Sequence, residues 1–401
     1  MAIKRNYQKP LSPDFSPRLL YIISFALLTT FGFTQTERWV YRYNGFGSGG
    51  DEAYCICFGG DGNIYAGGYT YNNSTNWDFT IISLTNSGTE RWVYKYLTLG
   101  NNWDACHSIC YGTDGNIYAV GDCTGGDSAF HFTIISLAPD GTERWVYQYP
   151  VLSSGKEICF GADGNIYAVG NTSSKILVVS VDNNGNERWH YVYSTPSSES
   201  DPGRSIVYGL DGNIYVAGFT GPEENTDVTV ISLTPSGSER WTYLYNGPGN
   251  YYDFGECIVY GSDENLYILG STCYFEYPGY TYWNGLAMSL SNSGNEHWTY
   301  ISSLRLSWFS QGVYGGDGNL YIAGTLGWDI WYFLVESISN SGNYRCRYID
   351  TTWGWANSIV YGDDGNIYVG GKTSTSFLPE SSYFTVMSFA SNNELLWTYQ
   401  H

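Results

Sequence analysis

Residues 227–270 read DVTVISLTPSGSERWTYLYNGPGNYYDFGECIVYGSDENLYILG. Short β-branched and aromatic runs alternate with Pro-Ser-Gly, Gly-Pro-Gly and Ser-Asp-Glu-Asn breaks. Runs of this length between Gly, Asn and Asp clusters predict strands joined by tight turns. The same unit recurs along the chain. Its anchor is a D-G-N turn at Asp61, Asp114, Asp163, Asp211, Asp317 and Asp364, and the fifth copy has Asp263-Glu264-Asn265. The turns lie 53, 49, 48, 52, 54 and 47 residues apart.

Each copy divides into four strands. The first reads like Ile206-Val207-Tyr208-Gly209. After the turn, the second carries a Tyr in all seven copies, at 65, 118, 167, 215, 267, 321 and 368, with Gly three residues on. The third reads like Phe132–Leu137, FTIISL, and the fourth like Glu143–Tyr147, ERWVY. Seven units of about fifty residues with four strands each predict an all-β, seven-bladed β-propeller of four antiparallel strands per blade, spanning residues 36–401. The first strand is apolar on both faces, so it is expected innermost. The Glu-Arg pair places the fourth strand at the rim, and its Trp (92, 145, 189, 241, 298, 397) is expected between blades. Cys346 takes the Trp slot in one copy, and that blade is expected to be looser. An eighth rim-like segment, Glu37–Tyr43, precedes the first copy. It either adds a strand to the last blade or displaces Leu395–Gln400.

With these motifs, residues 37–400 resemble the SBBP family of seven-bladed β-propeller repeats. Ser83, Ser136 and Ser232 stand where that family often has Lys, and the Glu-Arg-Trp is a further departure. The resemblance implies an exported, often cell-surface protein without established catalysis. The D-G-N-x-Y turn is shared by other propeller families.

Composition narrows the partners. The net charge is −20, and −23 after the first 35 residues are set aside. Phosphate backbones are held by Lys and Arg, so nucleic acid and anionic membranes are excluded. Neutral glycans, cations and basic peptides remain. Residues 1–35 place Lys4, Arg5, Lys9 and Arg18 before the apolar run Leu19–Phe33. That pattern predicts a signal peptide or signal anchor, and hence a secreted, periplasmic or cell-surface protein without other membrane contact. The nine Cys form no pairing pattern: Cys57, Cys110 and Cys159 share a position with Val207, Val259, Val313 and Val360, which marks it as small, apolar and buried.

Candidate sites fall on one face, which carries the loops from rim strand to next inner strand and from second to third strand. Ten residues before the turn stand Asp51, Asp104, Asp201 and Asp253. Oxygen ligands around one mouth suit a hard cation such as calcium; otherwise each Asp caps its own loop. No other cofactor is expected. Trp103, Tyr252, Trp353 and Trp355 flank that row, with Trp308 and Trp328 close by. The fifth copy adds Tyr274, Phe275, Tyr277, Tyr280, Tyr282 and Trp283 in its longest loop. Aromatics beside carboxylates suit a glycan or an extended peptide, or else pack the loops. The tentative ligand set is therefore Trp103, Asp104, Tyr252, Asp253, Tyr280, Trp283, Trp353 and Trp355. No catalytic constellation stands out, and the five His recur at no repeat position. The leading expectation is a monomeric, non-catalytic binding or scaffolding module. The alternative is a propeller-scaffold enzyme acting on polysaccharide, of lyase, glycosidase or streptogramin-lyase-like type.

Overall fold

The computed structural model describes residues 39–400 except 46, 48, 99–101, 125–128, 196–201, 223–224, 277–279, 328–330 and 375–381. The export segment, Asp201, Tyr277 and Trp328 lie outside the described residues. No described helix is long and apolar enough to cross a membrane.

Local chemistry sets each hairpin. In the second copy Asp114 Oδ1 accepts the backbone N–H of Asn116 at 3.1 Å, and Gly115, at φ 87°, donates to the carbonyl of Gly112 at 2.9 Å. Glu264 takes the same left-handed conformation at φ 65°, a strain of about 1 kcal/mol for a residue with a Cβ. The turn joins Ala105–Tyr111 to Ile117–Thr124, and Phe130–Leu137 and Glu143–Gln148 complete an antiparallel sheet in chain order. Every copy repeats this order. The last two blades share one 18-residue strand, Tyr344–Tyr361, which serves as rim of the sixth and inner strand of the seventh. The architecture is thus seven four-stranded blades, as expected. The short strand Asn102–Trp103 adds a parallel edge to the first.

Two bulges recur. On the inner strand the extra residue is Tyr54, His107, Lys156, Arg204, Glu256, Ser310 or Asn357. On the rim strand it is the Arg of E-R-W wherever that Arg is present. Bulges re-aim a side chain, and Arg144 turns inward: its Nη1 donates to Ser136 Oγ at 2.8 Å and Tyr118 OH at 3.2 Å. Tyr118 OH in turn donates to Asp114 Oδ2 at 2.6 Å. Arg91, Arg188, Arg240 and Arg345 make the same pair of bonds. The Ser that departs from the repeat family is therefore the acceptor for this Arg.

Blades are joined by the rim Trp. Trp145 Nε1 donates to the carbonyl of Asn183 in the next blade at 2.9 Å, and its ring lies over Gly185. Trp92, Trp189, Trp241 and Trp298 repeat the bond. At Cys346 the bond is reversed, with Asn393 Nδ2 donating to the Cys346 carbonyl at 3.2 Å. The rings are half-buried. All nine cysteines are free; Cys57, Cys110 and Cys159 are only half-buried where full burial was expected, because they lie on the innermost strand while packing against the core.

The eighth rim segment has its own place. Trp39 Nε1 donates to the Asn86 carbonyl at 3.0 Å, and Tyr41 OH donates to Glu90. These are the contacts a preceding blade's rim makes, so the segment takes that rim's place beside blade 1 and leaves the inner strand uncovered. Meanwhile Leu395–Gln400 pairs with Ser382–Phe389 and completes blade 7. Among the described residues, the faces between blade 7 and blade 1 are left open. Ile56 is 69 % exposed, whereas its counterpart Ile109 is 7 % exposed. Phe58 is 67 % exposed, while the equivalent Tyr111 stacks on Tyr65 at 5.7 Å. Across the seam Phe384 and Val360 are exposed, and Ser388 Oγ is buried without a partner because Leu396 replaces the Arg.

Two outcomes follow from this packing. Trp145→Ala should lower stability by about 2–3 kcal/mol, below the fully buried range because the ring is half-exposed; urea midpoints measure it. Ile56→Ser should cost less than about 0.5 kcal/mol and Ile158→Ser about 3 kcal/mol. Equal losses in the two variants would show that blades 7 and 1 close on each other.

Candidate functional site

The inner-strand bulge sets out a row of side chains that differ in every blade. At its centre His107 Nε2 lies 3.0 Å from Asp122 Oδ2, and Asp122 Oδ1 accepts the N–H of Gly155 at 2.9 Å. Lys156 Nζ is 3.8 Å from the same Asp122 oxygen. One blade on, Arg204 Nε lies 3.7 Å from Glu256 Oε2. Burial pushes Asp122 up, but the His107 hydrogen bond and the charges of Lys156 and His107 outweigh it and hold the carboxyl below its usual range. Burial pulls the Lys156 ammonium down, against the attraction of Asp122. Burial pushes Glu256 up, with Arg204 opposing. Tyr54 stacks on His107 at 5.5 Å.

An aromatic shelf continues from this row. The Arg204 guanidinium lies 5.4 Å over the Phe219 ring, and Phe219 meets Phe254 at 4.4 Å. Phe254 stacks on Trp283 at 5.2 Å and on Trp308 at 5.5 Å, and Tyr252 stacks on Trp283 at 5.9 Å. Trp283, Trp308 and Trp331, with Leu306, Ser307 and Gly327, line a half-open, mainly apolar cavity of about 190 Å³. The scaffold for Trp283 is an extended hairpin, Asn265–Glu276 with Tyr280–Ser291. The stretch expected as a long loop is thus mostly strand, with Tyr280 opposite Glu276 in register.

The expected site residues divide into three groups. Tyr252 and Trp283 belong to the shelf. Trp103, exposed, stacks on Trp77 at 4.7 Å and lies tilted against Tyr69 at 5.6 Å. Trp353 and Trp355 meet edge to face at 5.7 Å, with the Lys372 ammonium 5.2 Å over Trp355. No ring contact among the described residues joins the groups. The three described aspartates of the row bind their own loops. Asp51 accepts the N–H groups of Gly45 and Tyr71, each at 2.7 Å. Asp104 accepts from Thr98 Oγ1 and from the Thr124 N–H, each at 2.6 Å. Asp253 accepts from the Gly247 N–H at 2.5 Å. Asp104 and Asp253 are buried. Among the described residues no group of three His, Cys, Asp or Glu converges as a metal site would require.

Phe254 and Trp331 were not in the expected set, and neither was the polar row. Phe254 follows Asp253 directly, in the column that also holds Trp308 and Trp355. The row had a signal in the column seven residues before each turn, which is polar and different in each copy while the residue before it is small or apolar.

With the geometry in place, known proteins locate the chain. No protein-family model matches it, and no curated protein matches it. Solved structures do. They are β-propellers. Virginiamycin B lyase from Staphylococcus aureus is similar at 17 % identity and TM-score 0.49, over 76 % of this chain and 86 % of that one. Prolyl oligopeptidase B from Galerina marginata is similar at 11 % identity and TM-score 0.52, over 88 % of this chain and 51 % of that one. The Neurospora crassa Pan2 WD40 domain is similar at 10 % identity and TM-score 0.49, over 80 % and 86 %. Likeness at these identities concerns the fold alone.

The buried carboxylates give the protein a pH signature. Burial drives Asp253 up to about 6, against the hydrogen bond that its Oδ2 accepts from the Gly247 N–H, and its Oδ1 is left without a partner. A carboxyl raised above its unfolded value of about 3.9 favours the fold while protonated, below pH ~4, and this contribution is lost as pH rises through 6. Urea midpoints should therefore show wild type losing about 2 kcal/mol relative to Asp253→Asn between pH 4 and 7. A difference that is flat with pH would contradict this ionisation.

Proposed function

We propose that the protein is an exported binding module that recognises a glycan on the shelf formed by Tyr252, Phe254, Trp283, Trp308 and Trp331. The observation that carries this reading is the half-open cavity of about 190 Å³ walled by three Trp. Flat apolar faces with few polar atoms stack well on sugar rings, and the rings are half-exposed on a rigid frame. The SBBP-like repeats and the basic-then-apolar leader support export to a compartment where glycans are met. Titration of neutral and acidic oligosaccharides from a glycan array, followed by Trp fluorescence, tests it. Trp308→Ala should weaken binding by about 1–3 kcal/mol, the range for an aromatic anchor, with an unchanged thermal midpoint. Unaltered affinity in that variant would place the binding face elsewhere.

A second reading, a polysaccharide-cleaving enzyme on the same scaffold, is supported by the 3.0 Å His107–Asp122 contact beside Lys156. A carboxylate that orients a His is one arrangement for proton transfer. His107→Gln separates the readings, because it would abolish turnover of a bound polysaccharide while leaving shelf binding intact.

A further inference from the structure

We infer that Lys156 and Arg204 form a carboxylate-binding subsite at the end of the aromatic shelf, so that the glycan taken there is an acidic one bearing a uronic acid. This rests on the shelf being the glycan site and goes beyond it by naming the sugar class. Four observations support it.

The two cations are the bulged residues of adjacent inner strands, Ser153–Phe160 and Gly203–Tyr208. The bulge takes them out of the pleat that packs between blades, and both side chains are partly exposed. Their carboxylate neighbours stand too far away to accept hydrogen bonds, at 3.8 Å for Lys156–Asp122 and 3.7 Å for Arg204–Glu256. Asp122 is instead engaged by His107 and the Gly155 N–H. No described residue accepts a hydrogen bond from Lys156 Nζ or from Arg204. Donors on two adjacent cations are thus left for a ligand oxygen, and charge-assisted bonds of that kind are the strong ones.

The chain has 18 basic residues against 38 acidic ones. Against that balance two cations stand at one register on neighbouring blades, each with one carboxylate nearby, Asp122 at 3.8 Å and Glu256 at 3.7 Å. Arg204 lowers the proton affinity of Lys156, though by less than Asp122 raises it, and the two protein carboxylates approach the cations without hydrogen-bonding them, which leaves the donors to a ligand carboxylate.

The pair is also continuous with the shelf. From Arg204 the path runs to Phe219, Phe254 and Trp308 in steps of 5.4, 4.4 and 5.5 Å. A sugar stacked on Phe254 or Trp308 therefore has neighbouring residues within reach of the cations. The overall charge of −20 opposes a long polyanion, which favours a short or terminal uronate over a continuous acidic polymer.

The test uses the purified mature protein and trimers of galacturonic, glucuronic and mannuronic acid, each as free acid and as neutral methyl ester. Binding is measured calorimetrically at two salt concentrations for wild type, Arg204→Gln, Lys156→Gln and Trp308→Ala. At least one free acid should bind tenfold or more tighter than its ester, with the preference shrinking at higher salt. Arg204→Gln and Lys156→Gln should each bring the acid-to-ester ratio close to one and leave ester affinity unchanged, whereas Trp308→Ala should weaken both forms. Because Arg204 packs on Phe219, Lys156→Gln keeps the comparison valid if Arg204→Gln misfolds. Equal affinity for acid and ester, or a preference that survives both substitutions, overturns the subsite and leaves the shelf standing. No binding of any acid or ester overturns both. Tighter binding of carboxylate-terminated peptides than of any uronate assigns the pair to a protein ligand and overturns the acidic-glycan assignment.

Discussion

One tyrosine in each blade fixes where everything else can go. Tyr118 is fully buried and its hydroxyl is engaged three ways: it donates to Asp114 and meets Asn183 Oδ1 at 3.0 Å, while Arg144 donates to it. Its ring touches Trp145 of its own rim strand and Phe160 of the next inner strand. A buried hydroxyl without partners is costly, so the turn Asp and the rim Arg are bound to this one atom. Turn, second strand, rim and neighbouring blade are thereby set in a single register. The same Tyr is fully buried in the first six blades and only half-buried in the seventh, where the next blade is not packed on it.

This constraint explains what could be read in advance. The Asp, Gly, Asn and Tyr of the turn recur because each has a fixed bond or dihedral to satisfy, and such requirements are written locally. Blade number and strand order followed from them. The direction of the rim Arg did not, because a charged residue beside Glu reads as solvent-facing. Only the bulge opposite Ser136 and Leu137 shows that the chain turns Arg144 inward. The open seam was equally hidden. Glu37–Tyr43 and Leu395–Gln400 are both rim strands by pattern, and their placement depends on which acceptor each Trp reaches.

The candidate site shows the complementary limit. Trp283 and Tyr252 were recognisable as aromatics beyond what the repeat needs. Phe254, two positions after Tyr252, meets it at 6.1 Å because the extended backbone entering the strand Asp253–Tyr260 turns both to the same side. The bulged row is harder still, since its members occupy one register and share no residue type. A repeat preserves what holds the blade, and the column where the copies disagree is released from that duty. His107, Lys156, Arg204 and Glu256 stand in that column, in four successive blades.

The exposed inner strand of blade 1 changes the kind of object this molecule is. A closed ring gives every blade two neighbours, so none can be lost without breaking two interfaces. With one seam open, the blades form a line with two ends, and stability becomes a sum of units and nearest-neighbour terms. Blades 1 and 7 then each have a single partner, and thermal opening begins at these ends and moves inward. The shelf and the cation row, on blades 2 to 6, lie in the interior of that line and are the last to feel it.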